Sequence, residues 1–396
     1  MARAGTPAKR ATASRMPVQP PPQELVPEAD RLGEFPHPRH TRDLLGHHAA
    51  ETELKRAFDG GRSHHGWMLT GRAGIGKATL AYAAARYILA EPVDRGGDGL
   101  SLDPDFSPSA LSVAADSVAF RQVAALSHPG LLLLRRPWDT KTKRHMSAIP
   151  VDEVRKLRSF LALSAGGGER RVVIADSLDE MNTNAANALL KGLEEPPPGL
   201  IFLLVCSEPG RVLPTIRSRC RTLDLRPLSD ADVITAAKAA AANATTPVDL
   251  PSGMAEADLA TLAEGSVRRY LALAATDGVK LNARVTALFD RLPRIDWPEV
   301  MSFADDIQGA DKAERFDQTY DLILDVLARL IRAKLGSPRR DSDVALATRV
   351  ITDARLSAAA DLWTEAVREK AELDALNLDR RSLFLSLVQR LARLGA

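Results

Sequence analysis

Short apolar runs punctuate the first half of the chain. Leu131-Leu132-Leu133-Leu134, Val172-Val173-Ile174-Ala175 and residues 201–205 each hold four or five consecutive apolar residues. Runs of that length bounded by turn residues predict fully buried strands, covered on both faces. A further run, Trp67-Met68-Leu69-Thr70, stands directly before a glycine-rich loop. Between the runs the apolar spacing turns helical, over residues 80–90, 151–163 and 184–195, and an earlier helical pattern covers 41–58 until Gly60-Gly61 stops it. In the stretch 184–195, Ala186, Leu189, Leu190 and Leu193 fall at i, i+3, i+4 and i+7, one helix face for packing on a sheet, and Pro196 to Pro198 end it. Strands alternating with helices predict an α/β domain with a parallel sheet.

Beyond Pro227 the pattern is alanine- and leucine-rich and helical throughout. Ile323, Val326, Leu327, Leu330 and Ile331 form one helical stripe that Gly336 and Pro338 terminate. Residues 91–127, broken by Pro92, Gly96 and Gly97, read as an irregular surface insertion. Residues 1–30, with scattered basic residues and Pro20-Pro21-Pro22, hold almost nothing to bury and read as a disordered tail. The expected organisation is therefore a tail over 1–30, an α/β domain over 31–227, a small helical domain over 228–280 and an all-α domain over 281–396. A chain of 396 residues suits two or three domains.

Composition narrows the function classes. Hydrophobic residues are 45% and charged residues 26%, as in a globular protein. Lysine and arginine total 53 against 51 acids, so no overall basic field draws in nucleic acid, and any DNA contact is local or made inside a complex. Cys206 and Cys220 are the only cysteines, too few for a disulfide framework or a four-thiolate zinc site, and they suit a reducing cytoplasm. No run of about 18 apolar residues appears, so no membrane span is expected. The adjacent histidine pairs His47-His48 and His64-His65 read as surface residues.

Gly71-Arg72-Ala73-Gly74-Ile75-Gly76-Lys77-Ala78 follows a predicted strand and opens a predicted helix, the context of a Walker A phosphate loop. Gly71, Gly74 and Gly76 let backbone N–H groups curl around phosphate oxygens, the helix start adds a positive end, and Lys77 supplies a point charge. The loop departs from the motif at Ala78, where Ser or Thr would place a hydroxyl on Mg²⁺. Thr79 comes one residue later, about 100° round the helix. Asp176 ends an apolar strand, as the Mg²⁺-holding acid of a Walker B strand does; a cap on the following turn is the other reading. The next residue is Ser177, a hydroxyl that cannot act as a base near neutral pH without an activator. Asp179 and Glu180 sit beyond it in the turn. The expectation is ATP binding through the loop, with Mg²⁺ placement and hydrolysis in doubt.

Several segments resemble the bacterial clamp-loader subunits of the AAA+ class. They are residues 64–71, the loop through Lys77-Ala78-Thr79-Leu80-Ala81, the helix Asn187-Ala188-Leu189-Leu190-Lys191-Gly192-Leu193-Glu194-Glu195-Pro196-Pro197, and Thr215-Ile216-Arg217-Ser218-Arg219-Cys220 with its Ser-Arg-Cys motif. The resemblance covers about 36–275 well and the remainder more loosely. It implies a RecA-like AAA+ domain, a helical lid and a C-terminal collar that assembles a ring-like hetero-oligomer. Arg219 would be an arginine finger reaching a neighbouring subunit's ATP, a task suited to a planar, always-charged guanidinium. Without the motif Arg219 reads as a surface arginine. Ser207 falls at the polar sensor position, where a plain loop serine is the other reading. Gly265-Ser266-Val267-Arg268 resembles the second sensor, with Arg269 adjacent to Arg268. The implied partners are motor subunits (gamma/tau), the delta subunit, the sliding clamp and primed DNA. The cysteine-free region 91–135 implies no zinc module. Ala78, Ser177 and the absent zinc cysteines argue against the motor subunit itself, and the Ser-Arg-Cys segment argues against a helicase loader or a small-molecule kinase.

Overall fold

In the computed structural model, residues 27–60, 64–95, 109–142, 144–162, 170–275, 278–309, 312–338, 341–373 and 379–395 are described. Most of the expected tail and residues 96–108 of the expected insertion lie outside the described residues. The strands are β1 (Gly66–Thr70), β2 (Leu131–Leu134), β3 (Trp138–Asp139), β4 (Arg144–His145), β5 (Arg171–Ala175), β6 (Leu200–Cys206) and β7 (Arg221–Asp224). Five of them form a parallel sheet in the order β2-β5-β6-β1-β7, while β3 and β4 pair as a small antiparallel hairpin.

Period-two alternation along the strands sends side chains to opposite faces. Trp67 and Leu69 of β1, Val172 and Ile174 of β5, and Leu203 and Val205 of β6 pack with α1 (His48–Asp59), α2 (Lys77–Leu89) and α3 (Val118–Ala124). Met68, Val173, Ala175, Phe202, Leu204 and Cys206 pack on the other face with α4 (Val151–Ala162), α5 (Thr183–Glu194) and α6 (Pro214–Arg217). Trp67 and Phe202 are fully buried; side chains of this size contribute roughly 1.5–3 kcal/mol each on burial.

The two edge strands depart from the sequence expectation. In β2 only Leu134 is buried, because among the described residues the strand pairs with β5 alone, at the end of the sheet. Strand β7 was not expected: Arg221-Thr222-Leu223-Asp224 buries only Leu223, too little to register as an apolar run. The helix expected from residue 41 begins at His48, after an extended stretch that closes at Gly46 with φ of 73°. The expected surface insertion contains α3, whose Ala119 and Val123 are buried at i, i+4 alongside Leu111 and Val113. Ser117 caps that helix by accepting from the Phe120 N–H at 3.1 Å.

From residue 230 onward the described elements are helical: α7 (Asp230–Ala242), α8 (Met254–Ala263), α9 (Val267–Ala275), α10 (Gly278–Arg291), α11 (Trp297–Ile307), α12 (Ala313–Lys334), α13 (Asp341–Val350), α14 (Leu356–Leu373) and α15 (Arg380–Ala392). The predicted stripe lies on α12, with Ile323, Leu327 and Leu330 fully buried. The boundary expected near residue 280 falls close to the start of α10, and one continuous cluster of buried residues runs from Leu228 through both helical segments to Leu394. Among the described residues no helix is long and apolar enough to cross a membrane.

Candidate nucleotide-binding site

The phosphate loop joins the carboxyl end of β1 to α2, which begins at Lys77. Gly71 has φ of 135°, and a Cβ there would stand 2.6 Å from the Leu225 carbonyl oxygen; Gly74 has φ of 77°, and its Cβ would stand 2.3 Å from Ser266 Oγ. Side chains are excluded at both positions by backbone conformation and by space. Lys77 Nζ donates to the carbonyls of Gly71 at 2.7 Å and Arg72 at 2.5 Å. Burial lowers its ammonium to about 8, against the charges of Asp179, Cys206 and Asp176. Beneath the loop, His47 is buried and its Nε2 bonds the Ile75 carbonyl at 2.7 Å. That corrects its reading as a surface residue: it fills the space under the turn. A cavity of about 460 Å³ opens over the loop, lined by Gly74, Gly76, Lys77, Ala78, Thr79, Asp176, Ser207 and Arg268. Its volume suits a nucleotide-sized ligand.

Asp176 follows the carboxyl end of β5 and is buried, its backbone N–H donating to the Leu134 carbonyl at 2.9 Å. The Asp30 carboxyl lies against it, although residue 30 was assigned to the tail. Burial raises Asp176 well above the usual carboxylate range, and the adjoining Asp30 and Glu180 reinforce this while Lys77 opposes it. Burial would raise Asp30 too, but its hydrogen bond and charge pairing with His37, the bond with Asp176 and the Arg135 charge hold it low. Ser177 adopts a left-handed φ of 70°, a strained conformation for a residue with a side chain. The two acids of the next turn are engaged: Asp179 accepts the N–H of Ser207 at 3.3 Å and of Glu208 at 3.0 Å, and Glu180 pairs with Arg136 at 2.8 Å.

The turn between α8 and α9 docks on the loop. Ser266 Oγ donates to the Ala73 carbonyl at 2.9 Å, and Arg72 pairs with Glu264. Arg268 and Arg269 diverge. Arg268 lines the cavity and its Nη1 donates to the Asp30 carbonyl at 2.8 Å, whereas Arg269 turns away to pair with Asp325 on α12.

A phosphate fits the loop's glycine backbone and Lys77. For a phosphate-bound Mg²⁺ one usual holder is missing, since position 78 has no hydroxyl; Asp176 lines the cavity beside Asp30, and its Oδ2 is buried without a hydrogen-bond partner among the described residues. Among the described residues no group of three or more His, Cys, Asp or Glu side chains could hold a metal ion. The two thiols stand apart from such chemistry, since burial pushes Cys206 up to about 12 and Cys220 up to about 11.

Arg219 lies at the other edge of the sheet. It follows α6 and precedes β7, whose Arg221 pairs with Trp67 at the start of β1. A Cβ on Gly66 would meet the Arg219 carbonyl oxygen at 3.2 Å. The length of β1, about 13 Å at roughly 3.3 Å per residue, therefore separates Arg219 from the loop of its own chain. Its side chain is more than a third exposed, with the guanidinium paired with Glu194 at 2.9 Å and donating to the Thr215 carbonyl at 3.0 Å.

The phosphate-loop strand is flanked by β6 and β7, and one strand, β6, separates it from the acid-bearing β5. With the lid arginine at the cavity, this defines a P-loop domain of the AAA+ class. A family model described as DNA polymerase III, delta subunit, matches residues 46–229. The chain is 37% identical over 163 residues to the DNA polymerase III subunit delta' of Pseudomonas aeruginosa, covering 41% of this chain and 43% of that one. It is 30% identical over 175 residues to the delta' subunit of Escherichia coli K12, covering 44% and 46%. It is also 31% identical over 188 residues to the gamma/tau subunit of Mycobacterium tuberculosis, covering 46% and 28%. A solved gamma subunit-related protein of Thermotoga maritima aligns at 16% identity and a TM-score of 0.43, covering 88% of this chain and 100% of that one. The chain spans less than half the length of the curated relatives it matches. Across its AAA+ domain the chain is similar to the delta' subunits, as its motifs indicated.

Proposed function

We propose that this chain is a delta'-like subunit of a bacterial clamp loader that helps place the sliding clamp on primed DNA and is a poor or inactive ATPase by itself. It would work in the cytoplasm with gamma/tau-type motor subunits and a delta subunit, meeting clamp and DNA through the assembly. The observation that carries the reading is the placement of Arg219. An exposed guanidinium at the edge of the sheet remote from its own phosphate loop suits action on a neighbour's nucleotide. Ala78 and Ser177 favour this over the motor reading. ATP would bind through the loop backbone and Lys77, with Ser207 and Arg268 as sensor residues.

The test is Arg219→Ala in a loader reconstituted from the source organism's own subunits. The variant should assemble normally and lower the clamp- and DNA-stimulated ATPase, since a finger in trans can contribute on the order of 10³ or more at its site. The total loss is partial because other sites keep their own fingers. Arg219→Lys should not rescue it, because an ammonium lacks the planar fork. Wild-type clamp loading with verified incorporation of the variant would reject the proposal.

A further inference from the structure

The segment before α1 enters the nucleotide site, and nothing proposed above uses its contacts. Glu28 Oε1 accepts from Arg39 Nη1 at 2.5 Å and from Arg135 Nη1 at 3.0 Å. Asp30 Oδ2 pairs with His37 Nε2 at 2.5 Å, and Asp30 Oδ1 with Arg135 Nη1 at 3.3 Å. The same residue stands with both functional groups at the far end of the cavity: Asp30, Asp176 and Arg268 line it together, and the Asp30 carbonyl accepts from Arg268. Farther along, Phe35 is buried in the helical cluster, and the Thr245 N–H donates to the Glu34 carbonyl at 2.9 Å. The segment is thus pinned to the α/β core on one side and to the helical lid on the other.

We propose that residues 27–35 form an internal strap across the metal and terminal-phosphate end of the nucleotide site, with Asp30 holding Asp176 and Arg268 so that a metal-bound nucleoside triphosphate enters only when the strap lifts. Asp30 acts by occupancy and by charge. It takes up the acid that a metal would need, engages the arginine that a terminal phosphate would need, and sets an anionic group where an anionic ligand would arrive. Lifting it also costs the contacts of Phe35 and Glu34 with the lid, so opening the strap and moving the lid are one event. The strap lowers triphosphate affinity by the fraction of molecules in which it is open. The proposal rests on the nucleotide-site part of the proposed function and not on loader membership, which the Arg219 experiment tests separately.

Isothermal titration of the full chain with ATPγS and with ADP, each with Mg²⁺ and with EDTA, tests it. Wild type should bind both weakly and without dependence on Mg²⁺. Asp30→Ala should bind ATPγS on the order of 10- to 100-fold tighter, the range expected if the strap is open in about 1–10% of molecules. That gain should be larger with Mg²⁺ than with EDTA, and larger for ATPγS than for ADP. Glu28→Gln, which loosens the strap without touching Asp176, should move affinity in the same direction by less. Adding Lys77→Ala to Asp30→Ala should remove the gain. If Asp30→Ala and Glu28→Gln melt like wild type and bind ATPγS no tighter, the strap is overturned, as it is if the gain survives Lys77→Ala. Should Asp30→Ala fail to fold, unchanged ATPγS affinity in Glu28→Gln alone overturns it.

Discussion

The two edges of the sheet treat their charged side chains in opposite ways. At the carboxyl edge Lys77, Asp179 and Arg268 are engaged by the chain itself, through loop carbonyls, the Ser207 and Glu208 N–H groups and the Asp30 carbonyl, and Asp176 is buried beside Asp30. At the amino edge Arg219 keeps a solvent face beyond its Glu194 pair, and Arg221 is similarly exposed beside Glu53. The carboxyl edge is thus covered by the chain's own contacts, while the amino edge leaves two guanidinium-bearing side chains facing solvent.

The sharpest break in that comparison would come from activity. The isolated protein should hydrolyse ATP no faster than Lys77→Ala, and in a reconstituted loader Lys77→Ala should leave stimulated turnover near wild type, while Arg219→Ala removes on the order of 10³ at one site. Comparable losses from both variants in a coupled phosphate-release assay would make the carboxyl edge a hydrolysing site. A smaller effect separates the edges by stability. Gly74→Ala must hold an alanine at positive φ against Ser266, costing roughly 1–3 kcal/mol in urea unfolding. Arg219→Ala forfeits an exposed ion pair and should change stability by less than about 1 kcal/mol. The smallest effect is in pH. Burial holds the His47 imidazole below its ordinary value, against its bond to the Ile75 carbonyl and the Asp232 charge. Its folded state therefore resists protonation. The stability it contributes is full above the unfolded value, near 6.5 for histidine, and is lost as pH falls below it. His47→Gln should flatten the acid side of a thermal-melt series from pH 7.5 to 5.5, and an unchanged slope would leave His47 without this role.

The carboxyl edge was legible in the sequence where its determinants are contiguous. The loop from Gly71 to Lys77, the strand ending at Asp176 and the helix of Leu189 and Leu193 each declare themselves within a dozen residues, because central strands buried on both faces are apolar throughout. Strands β2 and β7 were misread or missed for the converse reason: a strand at an end of the sheet buries only Leu134 or only Leu223. Long-range contacts left no local trace at all. Pro27-Glu28-Ala29-Asp30 has too little apolar content to suggest order, yet Asp30 is held by Arg135, Arg268 and Asp176, which no spacing near residue 30 announces. His47 was hidden similarly, because its partner is a backbone carbonyl across the loop. The separation of Arg268 from Arg269 also needed the fold, since adjacent helical positions differ only in the direction they face.

The two thiols have a practical consequence. Sulfur reacts with maleimides and iodoacetamides as the thiolate, and burial leaves Cys206, raised to about 12, and Cys220, raised to about 11, almost entirely protonated at neutral pH. A cysteine introduced on an open surface would outpace both native sulfurs. Fluorophores or spin labels can therefore be attached at chosen positions without first removing either one, so distances within the native chain become measurable by spectroscopy.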